Sequence, residues 1–179
     1  MRGSLPRRYA KALIEIAKEE NQVERIGQEL ENLTVLFKKS PDLLETLAND
    51  SFDTEERLSA VREIADRFGF YPMLKNFLLL LIGKKRIDLF PEIEREYRRF
   101  QDEILGIVRV RVTGPKPHEK SLLDGIEKLL SRKLQKKVIS EGKVQPEIIG
   151  GLVLEIDHTV YDGSIRRELE RMKEMMLNG

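Results

Sequence analysis

Apolar residues recur every three or four positions through the first hundred residues, the spacing of one face of an α-helix. Tyr9, Ala10, Leu13, Ile14 and Ala17 form the first such stripe. Ala12 and Ile16 widen it, so this helix has apolar surface for two neighbours. Val23, Ile26, Leu30, Leu33 and Phe37 form a second stripe. Ser40-Pro41 reads as a cap followed by proline at a first helical position, opening a short helix through Leu43, Leu44 and Leu47. Asp53 and Glu56 have the spacing of a capping box ahead of Leu58, Val61, Ile64, Ala65 and Phe68, and Gly69 is a natural stop. Pro72 opens a fifth helix that carries Phe77 to Ile82, an uninterrupted apolar run. Asp88 is placed to cap a sixth, with Pro91 in its first turn and Ile93, Tyr97, Phe100 and Ile104 along its stripe.

At Gly106 the period shortens to two. Val108, Val110 and Val112 alternate with Arg109 and Arg111, as in a strand with one buried face. Gly114-Pro115 ends it. A helix through Leu122, Ile126, Leu129, Leu130 and Leu134 follows. Strand candidates then run from Val138 to Val144 and from Leu152 to Ile156, with Thr159 to Tyr161 returning across a turn at Asp157-His158. Asp162-Gly163-Ser164 reads as a turn that starts a final helix through Ile165, Leu169, Met172 and Met176. The pattern predicts a mainly α protein: an N-terminal six-helix bundle over residues 1–105 and a small α/β domain over 106–179.

Composition narrows the possible chemistry. Of 179 residues, 32 are Lys or Arg and 31 are Asp or Glu, a net charge of +1. Divided at Gly106, the halves carry −2 (18 basic, 20 acidic) and +3 (14 basic, 11 acidic). Neither half has the basic surplus with which nucleic-acid binders displace counterions. The one basic cluster, Arg132 to Lys137, would support a nucleic-acid-binding adaptor as the rival function. No aromatic platform accompanies it, and cations at a helix C-terminus also favour the helix dipole. Cysteine is absent, which excludes disulfides and thiolate chemistry. The longest apolar run is far shorter than the ~20 residues of a membrane helix, so direct membrane insertion is not expected.

No phosphate-cradling loop is legible. Gly150-Gly151 precedes a strand, whereas a dinucleotide-binding loop follows one. Neither His118 nor His158 has a second His three or four residues away, and both read as solvated turn histidines. Asp157, His158 and Ser164 together would make a small hydrolase, but turn and capping chemistry explains each of them. No catalytic, metal or cofactor site is expected. The informative feature is an excess of apolar surface on helices one and five. Either one of them is the central helix of the bundle, or the excess forms a groove for an amphipathic partner helix.

The run Ile148-Ile149-Gly150-Gly151-Leu152-Val153-Leu154, then Val160-Tyr161-Asp162-Gly163-Ser164-Ile165-Arg166 and Leu169, resembles the C-terminal motif of the delta subunits of F-type ATP synthases. The mitochondrial relative is the oligomycin-sensitivity-conferring protein. Arg8-Tyr9-Ala10-Lys11-Ala12-Leu13 resembles that family's opening motif, and Lys84-Lys85-Arg86-Ile87 the segment after its fifth helix. A departure is Asp157-His158, where the family often has Gly-Asp.

The resemblance implies a non-catalytic peripheral-stalk subunit, at the cytoplasmic face of a bacterial inner membrane as part of the synthase complex. Its N-terminal domain would cap the catalytic head and hold an alpha-subunit N-terminal helix between helices one and five. Tyr9, Ala12, Leu13, Ile16, Phe77, Leu78 and Leu81 are the candidate groove residues. The C-terminal domain would bind the b subunits, with Met172, Met175, Met176 and Leu177 as candidate contacts. Gly150, Gly151, Asp162, Gly163 and Ser164 are the structural motif. The stalk would then keep the head from turning with the rotor.

Overall fold

The computed structural model describes residues 4–156 and 159–178. The protein is mainly helical with one small sheet, and the chain divides into two compact units, residues 1–103 and 104–179. The turn expected at Asp157-His158 lies outside the described residues.

Six α-helices precede the first strand: α1 (Leu5–Glu19), α2 (Val23–Lys39), α3 (Pro41–Ala48), α4 (Thr54–Phe68), α5 (Pro72–Gly83) and α6 (Phe90–Leu105). Their apolar stripes meet in one core. Ala10, Leu13, Ile14 and Ala17 of α1 are buried, as is the whole α2 stripe from Val23 to Phe37. Leu74, Leu78, Leu81 and Ile82 of α5 pack against them, with Phe90, Ile93 and Tyr97 of α6. Phe37 meets Phe90 edge to face at 5.2 Å. Prolines at the starts of α1, α3 and α5 occupy positions whose N–H has no helical partner. Gly69 ends α4 in the left-handed conformation, φ +64°, at no Cβ cost.

Three expected caps differ. Ser40 and Asp53 do occupy the N-cap positions of α3 and α4, but neither side chain makes a capping hydrogen bond. Asp88 does not cap α6. It lies in a short 3-10 turn, Ile87–Leu89, and the helix starts at Phe90. Ile87 and Phe90, both fully buried, fix that turn from the inside.

Several polar groups inside this unit are paired, although Thr34 Oγ1, Arg57 Nε and Glu96 Oε2 are buried without a hydrogen-bond partner. The Tyr97 hydroxyl donates to the Val23 carbonyl at 3.1 Å, and burial raises its pKa above the usual phenol range. Arg57 is buried and donates to Asp50 Oδ1 (3.1 Å) and to the Leu47 carbonyl (3.4 Å). Lys85 reaches the other Asp50 oxygen at 2.9 Å. Lys85 first and Arg57 after it hold the Asp50 carboxyl below the usual carboxylate range.

The second unit is built on β1 (Ile107–Gly114), α7 (Lys120–Leu134), β2 (Lys137–Val144), β3 (Gly151–Ile156), β4 (Thr159–Ser164) and α8 (Ile165–Asn178). The sheet order is β2-β1-β3-β4. β1 and β2 are parallel, with α7 as the crossover, whereas β1–β3 and β3–β4 are antiparallel. One face carries Val108, Val110, Val112 and Val138, covered by Leu123, Ile126 and Leu130 of α7. The expected α7 stripe is therefore rotated. Leu122, Leu129 and Leu134 are exposed, because the sheet takes the Leu123 side of the helix. The opposite face is charged, and Arg109–Glu141 (3.6 Å) and Arg111–Glu155 (2.8 Å) pair across its strands.

Asp162-Gly163-Ser164 is not a turn but the end of β4, paired with Val153, Leu152 and Gly151 respectively. Gly151 makes this register possible. It sits at φ +83°, and a Cβ there would lie 2.3 Å from the Gly163 carbonyl oxygen. His118 is half-buried rather than solvated. Its Nε2 is 3.0 Å from the Val112 carbonyl, so that nitrogen carries the proton that is donated.

Candidate functional site

The apolar surplus of α1 and α5 is a groove on the surface of the first unit, with a volume of about 730 Å³. Leu13 and Phe77 are its buried floor. Tyr9, Tyr71 and Met73 are half-buried walls, and Tyr9 meets Phe77 edge to face at 6.3 Å. Ala12, Ile16, Pro72, Asn76, Leu80 and Glu20 form the exposed rim. On α1 the lining positions are 9, 12, 13, 16 and 20, one flank of the helix beside its core stripe. Ala12 is small, and so lets another backbone come close at the middle of the groove.

Of the sequence candidates, Tyr9, Ala12, Leu13, Ile16 and Phe77 come together here. Leu78 and Leu81 do not. They are 2% and 0% exposed and belong to the core, because one helical step turns them away from the groove. Met73, Asn76 and Leu80, at steps of three and four, line the groove in their place. Those three escaped the sequence reading for a physical reason. In a run that is apolar all round, periodicity carries no information about which side faces outward.

Polar contacts hold one end of the groove. The Tyr71 N–H donates to Glu29 Oε2 at 2.9 Å. Arg25 binds Glu29 Oε1 at 3.0 Å and stacks over the Tyr71 ring, 4.8 Å from its centroid. Glu29 is buried, so this pair is a fixed part of the wall rather than a mobile surface contact.

In the second unit, none of the described side chains of α8, residues 165–176, is buried. Ile165, Leu169, Met172 and Met175 are half-exposed, and Met176 is 77% exposed. The sheet's covered face is already occupied by α7, which leaves α8 no core to join. The helix therefore presents an apolar stripe outward. The Leu177 side chain lies outside the described residues.

Gly150, Gly151, Asp162, Gly163 and Ser164 anchor the start of this helix. Ile165 N–H donates to the Gly150 carbonyl at 3.0 Å, and a Cβ on Gly150 would meet Ile165 Cδ1 at 2.6 Å. Ser164 Oγ accepts from the Arg167 N–H at 3.3 Å, and Asp162 Oδ1 accepts from the Ser164 N–H at 2.9 Å. The Ser164 hydroxyl, then its N–H, hold the Asp162 carboxyl below the usual carboxylate range. Ser164 is thus a helix cap, engaged on both sides. The basic cluster is split by the fold. Arg132 and Lys133 end α7, Gln135 turns through the left-handed region at φ +52°, and Lys137 opens β2. No group of three His, Cys, Asp or Glu side chains that would hold a metal ion occurs among the described residues, and no described helix is long and apolar enough to cross a membrane.

The comparisons with known proteins agree over the whole chain. The family model described as ATP synthase delta (OSCP) subunit matches residues 5–176. An ATP synthase subunit delta from Geobacter sp. (strain M21) is 32% identical, covering 99% of this chain and 98% of its own. Another from Desulfatibacillum aliphaticivorans is 36% identical, covering 95% and 93%. A chain in a cryo-EM structure of the Toxoplasma gondii mitochondrial ATP synthase hexamer has the same fold, with a TM-score of 0.79 over 98% of each chain at 19% identity.

Proposed function

The chain belongs to the ATP synthase delta (OSCP) subunit family, and on that premise we propose that it is a non-catalytic linker of the peripheral stalk, joining the catalytic head to the b subunits. The first unit binds the head by taking the N-terminal helix of an alpha subunit into the α1/α5 groove. The second unit binds the b subunits through the outward stripe of α8. The protein acts from the cytoplasmic face of a bacterial inner membrane, within the complex and without entering the bilayer. Its job is mechanical: it resists torque, so the association must be tight. A nanomolar dissociation constant corresponds to about −12 kcal/mol.

The observation that carries this reading is the groove itself. It is apolar, elongated along two helices and lined at the three- and four-residue spacing with which an amphipathic helix is read. Ala12→Glu tests it. Ala12 is exposed, so the substitution is expected to leave the melting temperature within a degree or two. Burying that carboxylate under a docked helix costs several kcal/mol if it stays charged and unpaired. Capture of purified catalytic head, with and without the first 20 or so alpha-subunit residues, is expected to need both those residues and Ala12. Equal capture by wild type and variant would move the head-binding surface elsewhere.

A further inference from the structure

The groove between α1 and α5 carries one formal charge among its lining residues, that of Glu20. The other lining positions are apolar or aromatic, apart from the neutral amide of Asn76. Glu20 follows the last turn of α1 and lies against the Tyr71 hydroxyl. That neighbouring carboxylate, and burial after it, raise the tyrosine above its ordinary pKa. Arg25 also faces Tyr71, but it is committed to Glu29 at 3.0 Å and to the tyrosine ring. Among the described residues Glu20 forms no ion pair. The end of α1 does not supply the missing cation. Glu20 stands at the C-cap of α1, where the helix's own partial charge is negative.

Length matters as well. From Tyr9 to Glu20 is eleven residues, about 16 Å along the helix axis. The far end is an aromatic wall, the edge-to-face pair of Tyr9 and Phe77. The groove is therefore polarised, with aromatic carbon at one end and an uncompensated carboxylate at the other. A helix laid in it one way sets a cation on Glu20. Laid the other way, it covers that carboxylate with an apolar side chain and strips its water without replacing it.

We infer that Glu20, beside the Tyr71 hydroxyl, fixes the direction in which the docked helix lies, by pairing with a Lys or Arg of that helix about three turns from the residue that meets Tyr9 and Phe77. This rests on the groove being the alpha-subunit site. Glu20 is exposed before docking, so the pair is formed on binding and its worth is that of a partly covered ion pair.

A double-mutant cycle on the full-length protein tests it. The probe is a synthetic peptide of the first 25 residues of the same organism's alpha subunit, with each Lys and Arg replaced by Gln in turn. Titration calorimetry at low and at 0.5 M salt is the readout. Glu20→Gln is expected to weaken the unaltered peptide three- to tenfold at low salt, and to have no effect on one altered peptide, that lacking the partner cation. Glu20→Lys is expected to weaken the unaltered peptide further and to be rescued when that same cation is changed to Glu. If Glu20→Gln binds every peptide as wild type does, or loses the same factor with all of them, Glu20 does not set the direction. Ala12→Glu serves as the separate check. Should it bind the unaltered peptide as well as wild type does, the groove is not the site at all, and it is the proposed function that fails.

Discussion

Leu78 and Leu80 are two residues apart on α5, chemically identical, and opposite in consequence. Leu78 is 2% exposed among core side chains, whereas Leu80 is 46% exposed on the groove rim. Leu78→Ala is expected to cost about 2–5 kcal/mol in urea unfolding, the range for a truncated core leucine. Leu80→Ala is expected to cost under about 1 kcal/mol and to weaken the alpha-subunit peptide instead. Two glycines divide in the same way. Gly151→Ala puts a methyl 2.3 Å from the Gly163 carbonyl at a φ of +83°, so the β3–β4 pairing must open, and loss of folded residues 104–179 is expected in amide exchange. Gly125 lies within α7 with open space around it, and Gly125→Ala is expected to raise stability by about 0.5–1 kcal/mol. Asp162 shows how pH enters. Its carboxyl is held below its ordinary value of 3.8 in the folded protein, so the stabilisation is complete above that pH and disappears as pH falls through the lower folded value. In an acid titration followed by circular dichroism, wild type and Asp162→Asn are expected to differ above about pH 4 and to converge below it.

At the scale of elements, α8 is the most informative. Its described side chains form an exposed apolar stripe, and its first turn is capped by Ser164. Deletion of residues 172–179 is expected to leave the near-ultraviolet spectrum and the melting temperature of the remaining protein almost unchanged, because the described side chains it removes, 172–176, are all exposed. The same deletion is expected to abolish capture of the b subunits while sparing the catalytic head. If the truncated protein still captures b subunits, the contact must lie elsewhere in the second unit. Methionine suits such a surface, since an unbranched thioether chain repacks easily against a partner.

For the whole molecule, the two units have separate cores of unequal size. The first core draws on all six helices, whereas the second has four buried valines with partly buried neighbours. Small cores give little margin, because a short chain buries a smaller fraction of its surface. Expressed separately, residues 1–105 are expected to melt cooperatively at the higher temperature and to retain the alpha-subunit peptide. Residues 106–179 are expected to melt lower and to be stabilised by b-subunit fragments, as binding to the folded state alone requires. A single shared transition in the full-length protein at the temperature of the isolated first unit would contradict this independence.

The sequence by itself determined the element types and their order. Stripes of period 3.6 gave way to period 2 at Gly106, and both readings rest on local geometry that each residue carries with it. The α1 flank of the groove was legible because Ala12 and Ile16 exceed one stripe. The family likeness was legible in the Gly150-Gly151 and Asp162-Gly163-Ser164 motifs, where backbone contacts tolerate few side chains. Only the tertiary structure decided which side of α5 faces outward, which side of α7 meets the sheet, and that the described side chains of α8 stay exposed. The reason is common to the three. A pattern gives the angle between apolar residues around an axis, whereas burial depends on how much of that axis the neighbouring elements reach, which is settled when the core closes. Glu20 shows the same division from the polar side, being an ordinary exposed glutamate in the chain and the one charge of an apolar groove in the fold.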